Sequence, residues 1–345
     1  MNIGHLPRTL LLAFCCAVGC APTARADFCE KADAPVLKAI CADDSARTGY
    51  GELMAAFDEA LGRLSPEGQA ILTASESRWE ARFSGACIDH LEVTRAHNED
   101  WDDHPLQHCL STFIDGRKSF LRDQGRKEGN FILQEIDDAR DLYCDVGGSK
   151  NLLSITRSTV RIDAPRNDVI DKWNGQRMQE FSKSGDAADD ACESDGTYED
   201  TTGIRYADGD FIELASDYYH LETGMPHAQS RSDVQFELVA GSREIEASDL
   251  FEKGSGWQAY IAKRMYADYL SEVSQSGVSP RYTEPDFEKF AEETVRWEIT
   301  AKTLEYVFGS YDLGGYADSN FATTFTWKEL RPYLRGDLPF HPDFN

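Results

Sequence analysis

The sequence predicts an α+β protein in two parts, a disulfide-stapled helical bundle followed by an antiparallel sheet with packed helices. Three observations support this fold class. Residues 27–125 carry apolar side chains at helical spacing, residues 126–345 mix strand alternation with helical segments, and six cysteines follow an apolar leader. A chain of 345 residues is also long enough to build two hydrophobic cores.

Residues 1–26 have the pattern of a signal peptide. Arg8 precedes the apolar run TLLLAFCCAVGCA, and the small residues of Ala24-Arg25-Ala26 are typical of a cleavage site. An alternative is that Ala17-Val18-Gly19-Cys20 is a lipobox, in which case Cys20 would carry a lipid. Both interpretations predict a periplasmic or secreted protein. No later run approaches the ~20 apolar residues that a transmembrane helix needs.

Six cysteines remain after the leader. Their even number suits an oxidised protein, and the sequence lacks the C-x-x-C motif of zinc knuckles and redox sites. Six cysteines allow many pairings, so only proximity along the chain favours one of them. It predicts the disulfides Cys29–Cys41, Cys87–Cys109 and Cys144–Cys192.

The chain is strongly acidic, with 61 acidic and 35 basic residues. Removal of the leader, which holds two arginines and no acidic residue, would move the net charge from −26 to −28. Such a field repels phosphates, so nucleic acid is not an expected partner. It would speed the approach of a cationic partner, although acidity also serves solubility alone.

The first part reads as three main helices. Ser65-Pro66 separates the first two, as a cap followed by proline at the first helical position. Each helix has one apolar stripe. The stripes comprise Tyr50, Leu53, Met54, Phe57, Leu61 and Leu64; then Leu72, Ser75, Trp79, Phe83 and Ala86; then Leu106, Leu110, Phe113, Arg117, Phe120 and Leu121.

The second part alternates between strands and helices. NLLSITRSTVRIDAP predicts a strand, a helix follows through Trp173, and DAADDACESDGTYEDTTG reads as an acidic loop. Strand pairs are expected in GIRYADGDFIELASDYYH and DVQFELVAGSREIEA, which turn near Gly209 and Gly241. WQAYIAKRMYADYLSEV and EPDFEKFAEETVRW predict helices. Two strands around a glycine-rich loop then lead to a capping box at Thr326-Trp327-Lys328-Glu329.

The sequence contains few candidate metal-binding or catalytic residues. Asp102, Asp103, His104 and His108 have metal-like spacing, but Pro105 marks a helix start where acidic residues are favoured, so we predict no metal. The carboxylate pairs Asp137-Asp138 and Glu292-Glu293 are expected on helices, where neighbours face different directions. No catalytic motif is present, so we predict neither a catalytic residue nor a cofactor.

The first part carries a W-x-x-R-x-x-x-x-C core at Trp79, Arg82 and Cys87. With it come Asp27-x-Cys29, Lys38-Ala39-Ile40-Cys41-Ala42, Phe57, Leu61, Ser77-Arg78, Cys109-Leu110 and Arg117. On these residues, the segment 27–121 resembles the LprI-like family of small exported domains. That family is named after a mycobacterial lipoprotein inhibitor of lysozyme.

The second part carries a different set of residues. They are Thr159 to Pro165, Tyr218-Tyr219-His220, Gly224, His227, Phe236-x-Leu238-x-x-Gly241, Leu250-Phe251, Leu304-x-Tyr306-x-Phe308, Tyr311 and Trp327-x-Glu329-Leu330-x-x-Tyr333-Leu334. On these residues, the segment 152–334 resembles the extracellular region of RsiV, an anti-sigma factor that acts as a lysozyme receptor. It is also similar to the non-catalytic part of the peptidoglycan deacetylase PdaC.

Both resemblances imply recognition of lysozyme or another basic muramidase, by an inhibitor or a sensor. Aromatic and histidine side chains beside loops suit such a contact, because large rigid groups bury area at low entropy cost. The candidate partner-binding residues are Tyr218, Tyr219, His220, His227, Tyr311, Asp312 and Tyr316. The alternatives are a non-catalytic peptidoglycan- or glycan-binding module, a hydrolase, and a structural envelope protein without a ligand.

Overall fold

The structure, a computed structural model, describes residues 26–97, 104–146, 149–186, 196–222, 227–276, 279–308, 313 and 321–345. The α+β fold class is confirmed: helices come first, and a mixed region with two sheets follows. Most of the leader, including Cys20, and Cys192 lie outside the described residues. The described helices include none with the length and apolar character needed to cross a bilayer.

The helical part has one core between its longer helices. Val36, Leu53, Leu72, Phe83 and Leu110 are buried together in it. The disulfides Cys29–Cys41 and Cys87–Cys109 are confirmed, whereas the predicted Cys144–Cys192 pair falls outside the described residues. The helices are α1 (Pro35–Ala42), α2 (Asp44–Arg63), α3 (Pro66–Ser84), α4 (Leu91–His97) and α5 (Pro105–Asp123).

The start of α3 follows from its sequence. Ser65 is the N-cap, its hydroxyl accepts a hydrogen bond from the Gly68 N–H at 3.2 Å, and Pro66 occupies the first helical position. Asp43 caps α2 in the same way through the Ala46 N–H at 2.8 Å. The Ser65 cap explains why α2 and α3 are separated by only two residues.

The main sheet has seven strands in chain order, from β1 to β7. Neighbours are antiparallel, as predicted, except for β3 and β4, which are parallel. The helix α6 (Asp168–Asp186) connects these two strands and packs on β3. The strands are β1 (Arg126–Glu128), β2 (Phe131–Val146), β3 (Ser149–Ala164), β4 (Gly196–Asp208), β5 (Phe211–Glu222), β6 (Gln229–Leu238) and β7 (Arg243–Glu244).

Three expectations about these elements were wrong. Asp137 and Asp138 lie on strand β2, not on a helix, and this strand was not predicted. Glu292 and Glu293 follow a helix that ends at Phe290, where the chain turns towards a strand. The predicted acidic loop ends early, because β4 begins at Gly196.

The last part builds a further core over a small sheet, separate from the core between α6 and the main sheet. Trp257, Trp297, Tyr306 and Trp327 are among its buried residues. The Thr326 hydroxyl accepts from the Glu329 N–H at 3.2 Å, which confirms the capping box. The elements are α7 (Ala247–Leu250), α8 (Trp257–Ser276), α9 (Glu284–Phe290), β8 (Trp297–Ile299), β9 (Thr303–Phe308), β10 (Phe321–Thr326) and α10 (Trp327–Leu330), with strand order β10-β9-β8.

Polar contacts join the helical part to the main sheet, where α3 packs on β2. The Arg117 guanidinium on α5 bonds to Glu76 on α3 at 2.9 Å and to Asp137 on β2 at 3.1 Å. Arg82 on α3 reaches Asp141 on β2 at 2.9 Å. The two predicted parts therefore share a polar, largely buried boundary.

Candidate binding surface

Two of the predicted partner-binding residues lie in a cluster of three rings on the main sheet. Tyr218 and His220 on β5 meet Tyr198 on β4, with ring centroids 5.5 Å apart for Tyr198–Tyr218 and 6.2 Å apart for Tyr198–His220. Tyr218 and His220 are themselves 6.4 Å apart. All three side chains are partly buried, so each keeps some surface in contact with solvent.

Strand register explains why these rings converge. Tyr198 pairs with His220, and Asp200 pairs with Tyr218, across the antiparallel β4–β5 ladder. Side chains alternate between the two faces of a strand, so residues two apart and residues directly paired share a face. Arg231 on β6 pairs with Tyr218 and joins the same face.

Carboxylates surround the rings on this face. The Glu222 carboxylate lies 3.1 Å from Nε2 of His220, and Asp233 forms an ion pair of 2.6 Å with Arg231. Burial, and then the nearby charge of Asp200, raise the pKa of the Tyr198 hydroxyl above its usual value. We call this surface, formed by Tyr198, Asp200, Tyr218, His220, Glu222, Arg231 and Asp233, the outer-face patch.

A shallow pocket of 340 Å³ continues the outer-face patch along β6. Arg231 and Asp233 belong to both, and Glu244 lines the far side of the pocket. Val295 also lines it and is 74% exposed, which is unusual for a large apolar side chain. The pocket therefore offers an apolar contact beside carboxylates.

On the same face, Tyr198 packs against Leu142, Leu153 and Ile155 in a small apolar cluster. This packing fixes one ring, and the long β4–β5 ladder fixes the other two. Helix α6 lies beside the patch on the same face, because Phe181 packs on Arg157, the register partner of Asp200, and Trp173 donates to Glu237 on β6 at 2.7 Å. Helix α3 packs on β2, and α8 packs on β10. The outer-face patch is thus a rigid surface with ring faces, hydroxyls and carboxylates available for non-covalent recognition.

The structure separates the other predicted site residues from this patch. Tyr219 pairs with Glu199 and Ser230 on the opposite face of the sheet, where Ser232 also donates a hydrogen bond to Asp217 at 2.5 Å. His227 is exposed before β6, with Nδ1 3.2 Å from the Ala228 carbonyl oxygen. Tyr311, Asp312 and Tyr316 lie outside the described residues.

Six residues of the surface were missed from sequence: Tyr198, Asp200, Glu222, Arg231, Asp233 and Val295. The first two were assigned to the acidic loop before β4. A signal was available, because Tyr198, Asp200 and Thr202 occupy alternate positions in TYEDTTGIRY, a run rich in β-branched and aromatic residues. The acidic residues that precede this run led to its prediction as a loop.

The histidines with metal-like spacing lie in the helical part. His104 and His108 both line a pocket of 580 Å³ between α2 and α5, together with Asp43 and Glu52. Asp102 and Asp103 lie outside the described residues, and Cys109 is bonded to Cys87. Within the part of the chain that the structure describes, no three His, Cys, Asp or Glu side chains converge on a possible metal position.

Comparison with known proteins gives a distant structural likeness. No protein-family model and no curated protein matches the chain. A solved DUF3298-family protein from Bacteroides fragilis aligns with a TM-score of 0.39 at 11% identity, over 61% of this chain and 96% of its own. A DUF3298-family protein from Pseudomonas aeruginosa aligns with a TM-score of 0.41 at 10% identity, over 62% and 99%. Neither neighbour assigns a function at this level of similarity.

Proposed function

We propose that this chain is an exported binding protein that captures a cationic wall-cleaving enzyme of the lysozyme type, without catalysis of its own. The outer-face patch is the observation that carries the proposal. Its three rings form a rigid anchor, and Asp200, Glu222 and Asp233 surround that anchor with negative charge. Aromatic anchors ringed by charges are what protein–protein interfaces use for affinity and for steering.

The charge of the whole chain supports the same partner. At a net charge of −26, the protein attracts a basic enzyme over a distance of about one Debye length, roughly 8–10 Å at moderate salt. Bound on the outer-face patch, the enzyme would be inhibited sterically if its substrate cleft is covered. If the cleft stays open, the chain senses the enzyme without inhibiting it.

The test is calorimetric titration of the intact protein with a c-type lysozyme across a salt series. We expect a complex whose affinity falls as salt rises. Tyr218→Ala should weaken it roughly tenfold or more, because it removes a central aromatic anchor. Tyr219→Ala is the matched control, since it deletes the same side chain from the opposite face. A muramidase assay on cell walls then separates an inhibitor from a sensor.

Two results would overturn the proposal. Absence of a complex in dilute buffer removes the lysozyme-type partner, and equal losses in the two tyrosine variants remove the outer-face patch. Binding to insoluble peptidoglycan that persists at high salt, without lysozyme binding, would instead support the glycan-binding alternative.

A further inference from the structure

A second cavity lies on the other face of the main sheet, between that sheet and the helical part. It has a volume of 330 Å³ and is open to solvent along one side. Helices α3 and α5 form one wall, and β2, β3 and β4 form the other. Thr201 lines it, whereas Tyr198 and Asp200 lie on the face of the outer-face patch, and Arg157 is the residue that borders both sites. We call it the inter-layer cleft.

The helical wall of the inter-layer cleft is aromatic, with the guanidinium of Arg82 lying 5.5 Å from the Phe113 ring centroid and that of Arg117 lying 4.3 Å from the Phe120 ring centroid. Phe113 and Phe120 lie on α5 with Gly116 between them, a spacing that places all three on one side of the helix. Trp79 on α3 lines the cleft as well. A Cβ added at Gly116 would meet no atom within 4 Å, so this glycine leaves an open gap between the two phenylalanines.

The sheet wall is polar, and its ionisable groups are Glu135, Asp137 and Arg157. It presents the hydroxyls of Thr156, Ser158 and Thr201 beside the carboxyl group of Glu135. Burial raises the pKa of Glu135, and a hydrogen bond from Ser158 opposes that rise. The wall can therefore donate and accept hydrogen bonds at several points.

The three arginines of the cleft are already engaged, and Arg157 bonds to Asp138 at 3.4 Å and to the Phe181 carbonyl oxygen. Arg117 bonds to Glu76, to Asp137 and, at 2.7 Å, to the hydroxyl of Ser75. Arg82 bonds to Asp141 and, at 3.0 Å, to the hydroxyl of Ser154. A charged ligand would have to compete with these partners, whereas a neutral ligand would leave every pair intact.

We propose that the inter-layer cleft binds a neutral saccharide. A sugar ring has an apolar C–H face and a rim of hydroxyls, and the cleft sets aromatic rings opposite hydroxyl and carboxyl groups. The volume of 330 Å³ lies at the lower end of the range for small-ligand sites, which fits one or two sugar rings. This site is independent of the lysozyme-type partner proposed for the outer-face patch.

The experiment uses the intact chain and two neutral trisaccharides, chitotriose and cellotriose. Binding is followed by NMR through the backbone amides of Thr156 and Thr201, and by calorimetry. We expect saturable shifts at these two amides with at least one trisaccharide. Gly116→Leu should weaken binding roughly tenfold or more, because its side chain would fill the gap on α5.

Gly175→Leu is the matched control. Gly175 is an exposed glycine inside α6, it also has open space around an added Cβ, and it does not line the cleft. Both leucine variants should fold, since leucine is a better helix former than glycine. Thr201→Val supplies a second probe, because it removes one hydroxyl and keeps the β-branched shape that strands favour.

Three results would overturn the proposal: no saturable shift at the solubility limit of either trisaccharide, equal affinity in the two leucine variants, or shifts confined to the outer-face patch. Unchanged lysozyme binding in Gly116→Leu would show that any loss of saccharide binding belongs to the cleft alone.

Discussion

Asp163, at the end of β3, accepts two hydrogen bonds from Ser65, one from its backbone N–H and one from its hydroxyl, each at 2.6 Å. Ser65 is the N-cap of α3, so the residue that starts this helix is also the residue that holds it to the sheet. Asp163 is completely buried and also accepts from Arg161 at 2.9 Å. Because this carboxylate serves both parts, their stabilities are coupled.

Replacement of this carboxylate should therefore destabilise both parts together. Asp163→Asn removes the negative charge beside the buried Arg161 and weakens the bonds to Ser65, at a cost of about 3 kcal/mol. Chemical denaturation should show one transition, shifted equally in helical circular dichroism and in tryptophan fluorescence. Asp171→Asn is the control, because its carboxylate pairs with Arg166 at the surface and should cost less than about 1 kcal/mol. Separate transitions for the two signals would contradict the coupling.

Replacement by alanine should destabilise the protein at Gly68 on α3 and stabilise it at Gly116 on α5. A Cβ at Gly68 would lie 2.5 Å from Oδ1 of Asp163 and 3.1 Å from Oε1 of Gln134, and both of these side chains are fully buried. Gly68→Ala should cost about 1–3 kcal/mol of unfolding free energy. Gly116→Ala meets only open space inside an exposed helical turn and should stabilise by about 0.5–1 kcal/mol. Thermal unfolding of the two variants measures both changes in stability. A Gly68→Ala variant more stable than the parent would contradict the close contact between this position and Asp163.

The buried Arg117 should control the pH dependence of stability. Burial raises the pKa of Glu76 while Arg117 lowers it, so Arg117→Met would push that pKa higher. The variant should lose about 3–5 kcal/mol at pH 7, because the buried Glu76 is left without its charged partner. At about pH 4 the loss should shrink, because protonation removes the charge from Glu76. Urea denaturation at both pH values checks this, and an equal loss at both would contradict it.

The sequence predicted the elements that have a clear local signal, either an apolar stripe or a helix cap. The stripe of α2 at Tyr50 and Leu53, and the capping box at Thr326, are of this kind. Strand β2 was missed because its middle reads EIDDARD, which lacks an apolar face. Two of its acidic residues are explained by the helices opposite, since Asp137 pairs with Arg117 and Asp141 with Arg82. Such pairing is a tertiary property that no local pattern contains.

The sequence also failed to predict which residues of the candidate site share one face of the sheet. Tyr218, Tyr219 and His220 were predicted as one contact set, but strand alternation sends Tyr219 to the opposite face. Had these three residues been predicted as part of a strand, alternation would have separated Tyr219 from Tyr218 and His220. The contribution of Arg231 depends on the β5–β6 register, which its own sequence neighbourhood does not specify.

Glu213 on β5 should make the protein less stable at alkaline pH. Its side chain is 5% exposed, and burial raises its pKa to about 7, with Glu298 adding to the rise and Arg205 opposing it. The folded state therefore holds this proton more tightly than the unfolded state, whose pKa is about 4.3. No stability is lost to this group below about pH 4. The loss grows as pH rises towards 7 and reaches up to about 3 kcal/mol above it.

Glu213→Gln mimics the protonated acid and should remove this dependence. At pH 8 the variant should be more stable than the parent by up to about 3 kcal/mol, and at pH 4 the two should be equal. Glu199→Gln, an exposed position on β4, should change stability by less than about 0.5 kcal/mol at either pH. Urea denaturation across this range provides the comparison. A variant that is less stable than the parent at pH 8 would mean that Glu213 is charged and well paired in the fold, because only a favourable ionic contact would then be lost.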